Sequence, residues 1–292
     1  MTSEIREDAL TGATVAVAVD RQARPNLPSD ACPFCVGGLE SSEPYDVRAF
    51  VNRWPTFADD RCEVVLYTSE HDATFWSLGV AGASKVVDLW AERSSALGDR
   101  DGIAYVLVFE NRGAAVGATI SHPHGQIYAY EAVPPNPLAE LRRAEAHGCP
   151  LCAEDPGRRL VSQVGEWRAW VPWASKYPYG LVVAPVSHDP DLPSLPTASR
   201  RELAGVLVDV LARLDKMWHV PVPYMLWFHQ RPFDGGSWPA AHVHVEIAVP
   251  ERATGLLRYI AAGELGSGLY VNPVEPEAAA AALRAVVIGD ES

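Results

Sequence analysis

No stretch of the 292 residues approaches the ~18 consecutive apolar residues that a membrane-spanning helix needs. Positive charge is scarce as well: 24 Lys and Arg stand against 37 Asp and Glu, for a net charge of −13. That balance excludes a sequence-independent nucleic-acid binder, which needs a basic face against the phosphates. It does not exclude small phosphorylated ligands, for which a local pocket of amides and a few arginines suffices. The first ten residues are charged and lack the apolar stretch of a secretion signal. A cytoplasmic location is therefore expected, and structural disulfides are not. Cysteine is limited to five residues, yet four of them form two Cys-Pro-x-Cys pairs, Cys32/Cys35 and Cys149/Cys152. Such pairs read as metal ligands or redox sites. A redox pair belongs at a strand-to-helix junction, and neither pair precedes a convincing helix. Cys62 stands alone and reads as a buried core thiol.

What is present is a repeat. Each half opens with a Cys-Pro-x-Cys pair, continues through an aromatic-rich strand (residues 47–55 and 167–173) and an apolar strand, and reaches a histidine, His71 or His188. The intervals Cys35 to His71 and Cys152 to His188 are both 36 residues. Each half then runs through a helix to a His-x-His pair, His122/His124 and His242/His244. Recurrence of metal-competent residues at matched spacing indicates a duplicated unit. In the second half Leu203, Val206, Leu207, Val210, Leu211 and Leu214 recur at helical spacing and form one core-facing stripe. Ser199 and Glu202 before them read as a capping box. The matching first-half helix is expected over roughly residues 77–97. Apolar strands precede each His-x-His, at residues 105–109 and 224–228. Strands with one main helix per half imply an α+β fold with antiparallel sheet. The prolines Pro134, Pro135 and Pro137 mark the junction of the halves.

Residues 121–126 read Ser-His-Pro-His-Gly-Gln. Imidazoles one residue apart share a side of an extended chain. Pro123 stiffens the pair, Gly125 allows close approach to a ligand, and Gln126 offers a donor amide. One imidazole can serve as ligand or orienter while the other acts as a nucleophile toward phosphorus, giving a labile phosphoramidate. The backbone carbonyl of His122 is a candidate acceptor for the second N–H of His124.

Cys32, Cys35, His71 and His122 compose a Cys₂His₂ set, the usual make-up of a tetrahedral zinc site. Cys149, Cys152, His188 and His242 repeat it. In both, the first histidine of the pair goes to metal and the second is left over. A competing arrangement for the second site uses His229, His244 and Glu140.

The 121–126 motif resembles that of the galactose-1-phosphate uridylyltransferase family, within the histidine-triad superfamily. The segment 109–117, Phe-Glu-Asn-Arg-Gly-Ala-Ala-Val-Gly, is similar to the family's approach to the motif, and residues 10–12, 21–25 and 258–264 are similar to family segments. The resemblance covers nearly the whole chain. It implies two tandem histidine-triad-like repeats, 1–137 and 138–292, in a homodimer with one or two zinc ions per subunit. It implies His124 as the uridylylated nucleophile, His122 as the zinc ligand beside it, and Gln126 as the donor to the transferred phosphoryl group. Asn52 and Asn111 match nucleotide contacts. Gly113 and Thr119 fall in the segment leading into the motif, as further substrate-binding candidates. Arg21 and Arg24 match arginines near the diphosphate, some acting across the dimer. Arg258 and Glu264 match hexose-phosphate contacts. The implied substrates are a UDP-sugar and a sugar 1-phosphate. Arg53 and Gly263 depart from the pattern where base and sugar are read, and residues 266–273 look similar to plant-type relatives that transfer adenylyl groups. Adenylyl transfer or phosphorolysis of ADP-sugars or dinucleoside polyphosphates is thus the alternative activity. A zinc-stabilised nucleotide-binding protein without catalysis is the alternative of another class.

Overall fold

The computed structural model describes residues 3–19 and 32–289. The strands are β1 (Glu4–Glu7), β2 (Thr14–Val17), β3 (Arg48–Val51), β4 (Cys62–Leu66), β5 (Tyr105–Arg112), β6 (His124–Tyr130), β7 (Leu160–Val164), β8 (Trp167–Trp170), β9 (Leu181–Pro185), β10 (Tyr224–His229), β11 (His244–Ala248), β12 (Glu251–Ala253) and β13 (Leu256–Leu257). The helices are α1 (Gly79–Gly98), α2 (Pro135–His147), α3 (Pro150–Ala153), α4 (Thr197–Trp218), α5 (Ala262–Ser267) and α6 (Pro276–Ala285).

Nine strands form one antiparallel sheet in the order β3-β4-β6-β5-β10-β11-β9-β8-β7. The order is mirrored about the β5–β10 pair. β6 and β11 carry the second histidine of each His-x-His, β4 and β9 lie beside them, and β3 and β8 lie next outward. The duplication read from the cysteine spacing is thus a pseudo-two-fold relation within one sheet. Register fixes which residues correspond: Phe109 pairs with Gln126 as Trp227 pairs with Glu246.

The two long helices lie against each other on one face of the sheet. Val86, Val87, Trp90 and Leu97 of α1 meet Leu203, Val206, Leu207, Val210 and Leu214 of α4 in one core cluster with the inward residues of β5, β6, β10 and β11. Full burial of each such side chain contributes about 1.5–3 kcal/mol. Trp90→Ala would cost about 3–5 kcal/mol, since the indole packs on Tyr67, Phe75 and Phe228. Cys62 is fully buried, as its lack of a partner cysteine suggested, and its sulfur accepts the amide of Phe57 at 3.4 Å.

One local expectation changes. α4 begins at Thr197 with Pro196 as its extended N-cap, so Ser199 and Glu202 lie inside the first turns and cap nothing. Instead Ser199 Oγ accepts the Trp167 indole N–H at 2.9 Å and Glu202 accepts the Glu166 amide at 3.0 Å. Both residues dock the β7–β8 hairpin. The first-half helix, expected over roughly 77–97, runs Gly79–Gly98 after a 3₁₀ turn at Trp76–Leu78. The prolines at the junction of the halves open α2: Pro134 is the N-cap and Pro135 begins the helix. Proline is tolerated there because the first helical N–H groups lack intrahelical partners.

Candidate active site

On β6 burial alternates, with His124, Gln126 and Tyr128 half-buried and Gly125, Ile127 and Ala129 buried. The buried set faces the helices, which puts His124 and Gln126 on the opposite face. A small apolar cluster of Phe34, Val64 and Leu66, with Cys32, Tyr45 and Ile120 against it, covers that face at the β4 edge. The first cysteine pair therefore lies beside the motif. Phe34, between the two cysteines, meets the His124 ring edge-on with centroids 5.0 Å apart.

The donor atoms of Cys32, Cys35, His71 and His122 lie within 4.8 Å of one another. Cys35 Sγ is 3.3 Å from His71 Nδ1 and 3.7 Å from His122 Nδ1. Two ligands of a tetrahedral zinc stand about 3.6 Å apart at standard Zn–S and Zn–N lengths. His122 Nε2 faces the Thr68 carbonyl at 2.8 Å and the Tyr45 hydroxyl at 2.9 Å. A carbonyl can only accept, so Nε2 carries the hydrogen and Nδ1 offers its lone pair to the thiols. Burial lowers the His122 pKa, against the opposing Thr68 hydrogen bond, which favours the neutral ring that a metal requires. The set fits zinc.

The second set repeats this geometry. Cys149 Sγ and Cys152 Sγ lie 3.3 and 3.5 Å from His242 Nδ1, and Cys152 Sγ lies 3.1 Å from His188 Nδ1. His188 Nε2 faces the Pro239 carbonyl and His242 Nε2 the Pro185 carbonyl, each at 3.1 Å. Burial, with the charge of His188, pushes His242 down to about 4. Burial and the neighbouring Cys149 push Cys152 up to about 11. A bound cation would favour the thiolate of Cys152 against that rise.

Glu140, His229, His244 and Glu246 form a third group with donor atoms equally close. The arrangement expected to compete with the second Cys₂His₂ set is therefore separate from it, sharing no residue. His229 Nδ1 lies 2.7 Å and His244 Nε2 3.5 Å from Glu140 Oε2. Burial opposes ionisation of Glu140, but hydrogen bonds from the two histidines outweigh it and hold the carboxyl at about 2. The second histidine of the second pair is thus engaged by α2, not left over.

His124 Nδ1 lies 2.8 Å from the His122 carbonyl oxygen. The N–H is on Nδ1 and the lone pair on Nε2, the arrangement a nucleophilic imidazole requires. Gln126 Oε1 faces Asn52 Nδ2 at 3.5 Å, and Asn52 Oδ1 accepts the Trp54 amide at 2.9 Å. This orients the glutamine with its NH₂ as donor. Asn111 lies on β5 and lines a groove with Leu107, Phe109 and Trp227. Gly113 follows β5 at φ +90°, and a Cβ there would meet Pro223 at 3.1 Å. Thr119 is half-buried two residues before Ser121. Arg21 and Arg24 lie outside the described residues. Arg258 and Glu264 pair with each other, and Glu264 also accepts the Ala261 and Val271 amides. Their polar contacts organise the C-terminal segment. Arg53 pairs with Glu40 at 2.5 Å. Sequence reasoning did not reach Tyr45 or the Thr68 carbonyl, which lie far from the motif in sequence and have no pattern of their own, and it gave Phe34 no role although it sits inside the first cysteine pair.

Among the described residues no helix is long and apolar enough to cross a membrane. Residues 56–134 match the family described as galactose-1-phosphate uridyl transferase, N-terminal domain. A galactose-1-phosphate uridylyltransferase of Thermotoga maritima is 36% identical, over 96% of this chain and 98% of its own. A solved uridylyltransferase structure superposes with a TM-score of 0.86 at 31% identity, covering 98% of both chains. An ADP-glucose phosphorylase from Arabidopsis thaliana with bound ADP-glucose, 24% identical, shares the fold at a TM-score of 0.79 over 99% of this chain and 100% of that one. The chain belongs to the galactose-1-phosphate uridylyltransferase family.

Proposed function

We propose that the chain is a hexose-1-phosphate uridylyltransferase working by double displacement on His124. The observation that carries the reading is the His124 Nδ1 to His122 carbonyl contact, which fixes the nucleophilic tautomer. The Nε2 lone pair attacks the α-phosphorus of UDP-glucose. The bond from phosphorus to the bridging oxygen breaks, and glucose 1-phosphate leaves with that electron pair. A phosphate oxygen of galactose 1-phosphate then attacks the same phosphorus, the P–N bond breaks, and its electrons return to Nε2. Gln126 donates to the non-bridging oxygens as charge develops there. The 36% identical uridylyltransferase supports the choice of base and sugar.

Zinc is proposed at Cys32/Cys35/His71/His122 and at Cys149/Cys152/His188/His242. Four protein ligands leave no open position, so its role is structural. Glu140, His229, His244 and Glu246 are a separate place for a cation. Asn52, Asn111, Gly113 and Thr119 are proposed nucleotide-side contacts, with Arg21 and Arg24 at the diphosphate and Arg258 and Glu264 at the hexose phosphate. The division into repeats 1–137 and 138–292 is carried as part of this reading, as are a cytoplasmic location and a homodimer. The β1–β2 ribbon supports the dimer: it is exposed along nearly its whole length, and a two-stranded ribbon is marginal alone.

The test is the covalent mass added to the 121–126 peptide after incubation with UDP-glucose or ADP-glucose. A uridylyl adduct on His124 from UDP-glucose is expected. An adenylyl adduct from ADP-glucose alone would reassign the chain to adenylyl transfer or phosphorolysis. Nucleotide binding with no adduct would leave a non-catalytic binding protein.

A further inference from the structure

One buried acid has no part in the chemistry above. Glu110 on β5 is 4% exposed and faces the helices. Its Oε1 accepts the Tyr224 hydroxyl at 2.7 Å and its Oε2 the Tyr67 hydroxyl at 3.1 Å. Both tyrosines are buried, Tyr67 just after β4 and Tyr224 at the start of β10. Tyr67 is pressed against the motif in two ways. Its amide donates to the Pro123 carbonyl at 3.3 Å. Its hydroxyl lies so close beneath Gly125 that a Cβ on that residue would stand 2.3 Å from it.

The second repeat supplies an internal control. Pairing of Phe109 with Gln126 and of Trp227 with Glu246 makes Glu110 equivalent to Phe228, and Gly125 equivalent to Val245. Phe228 and Val245 are fully buried and purely apolar. The same place in the same fold is thus filled by hydrocarbon where no nucleophile is proposed. Burying a carboxyl costs several kcal/mol unless hydrogen bonds compensate, so packing alone does not account for Glu110.

We propose that Glu110 is a positioning residue: it holds the Tyr67 hydroxyl beneath Gly125 and so sets the height of the strand that presents His124 and Gln126. The proposal rests on the transferase reading for its kinetic readout. The other groups around the carboxyl are Arg112 and, from α4, Asp215, which pair with each other at 2.7 Å. Burial raises Glu110 to about 7 against the hydrogen bonds from Tyr224 and Tyr67, consistent with a carboxyl kept for placement rather than stability.

The experiment compares Tyr67→Phe, Glu110→Gln, Gly125→Ala and the Gly125→Ala/Tyr67→Phe double variant in the full-length, metal-loaded protein. Single-turnover uridylylation by UDP-glucose, KM, melting temperature and the ¹⁵N shifts of the His124 ring are measured. Tyr67→Phe should slow uridylylation about 10- to 100-fold with KM little changed. Glu110→Gln should be milder, because the amide still accepts one hydroxyl and donates to the other. Gly125→Ala should be severely impaired, and adding Tyr67→Phe should restore part of its rate by removing the clashing oxygen. The His124 ring shifts should move in Tyr67→Phe. Wild-type rates in Tyr67→Phe, or losses in Gly125→Ala and Tyr67→Phe that simply multiply, would overturn the proposal. If the wild type forms no adduct, the transferase reading fails by itself, and unmoved His124 ring shifts would then overturn the positioning role separately.

Discussion

His124 Nδ1 lies 2.8 Å from the carbonyl oxygen of His122. The residue whose ring faces the first cysteine pair thereby also sets the tautomer of the ring beside it. His244 Nδ1 meets the His242 carbonyl in the same way at 2.9 Å, but Glu140 stands against its Nε2. One constellation recurs in both repeats, and in the second Glu140 stands 3.5 Å from the Nε2 of its histidine.

His124→Gly should lose overall transfer while keeping fold and nucleotide binding, since the ring is half-buried and outside the proposed zinc sets. Free imidazole should restore nucleotidyl transfer to the acceptor phosphate. Undiminished transfer by the purified variant would remove His124 from its role.

Gln126→Leu preserves side-chain size and removes the donor. Loss of one preorganised donor to developing oxyanion charge costs about 10²–10³ in kcat. KM for UDP-glucose should change far less. Asn52→Ala, which removes the group orienting Gln126 Oε1 together with the acceptor of the Trp54 amide and a proposed nucleotide contact, should lower kcat less than Gln126→Leu and raise KM as well. A KM-only effect in Gln126→Leu would place the glutamine in ground-state binding.

Freshly purified protein should contain up to two zinc ions per subunit by elemental analysis. Cys32→Ser should remove one and lower the melting temperature, because a structural metal contributes to folding free energy. Tyr45→Phe keeps all four ligands but removes the hydroxyl at His122 Nε2. Such outer partners are worth about 10- to 100-fold in metal affinity. Protein free of transition metal would rule out both sites.

Glu110 gives a pH dependence of defined sign. Its folded-state pKa is raised from 4.5 to about 7, so between those values the folded protein holds a proton that the unfolded chain has released. Its contribution to stability is full below 4.5 and declines as pH rises toward 7, by on the order of 3 kcal/mol. Glu110→Gln should flatten that part of the profile in denaturant titrations. An unchanged slope would mean that Glu110 is not buried as a carboxylic acid in this range.

The matched cysteine-to-histidine intervals and the His-x-His spacing made the candidate metal sets and the motif legible, because matched spacing survives folding when the two halves fold alike. Ser199 and Glu202 misled because capping is decided by the backbone, and Pro196 already ends the extended segment. Glu110 was read only as part of the strand leading to the motif. Its meaning lies in hydroxyls 43 and 114 residues away, which no local pattern encodes. Arg258 and Glu264 were recognised by resemblance, but their pairing with each other depends on how the C-terminal segment closes on itself.

The central claim is a covalent nucleotidyl-enzyme, and isotope exchange tests it most directly. Protein is incubated with UDP-glucose and labelled glucose 1-phosphate, with no second sugar phosphate present. A covalent intermediate frees glucose 1-phosphate before any acceptor binds, so label should enter UDP-glucose, and His124→Gly should abolish the exchange. Overall transfer to galactose 1-phosphate without this exchange would mean direct transfer between two bound substrates, and would contradict the account.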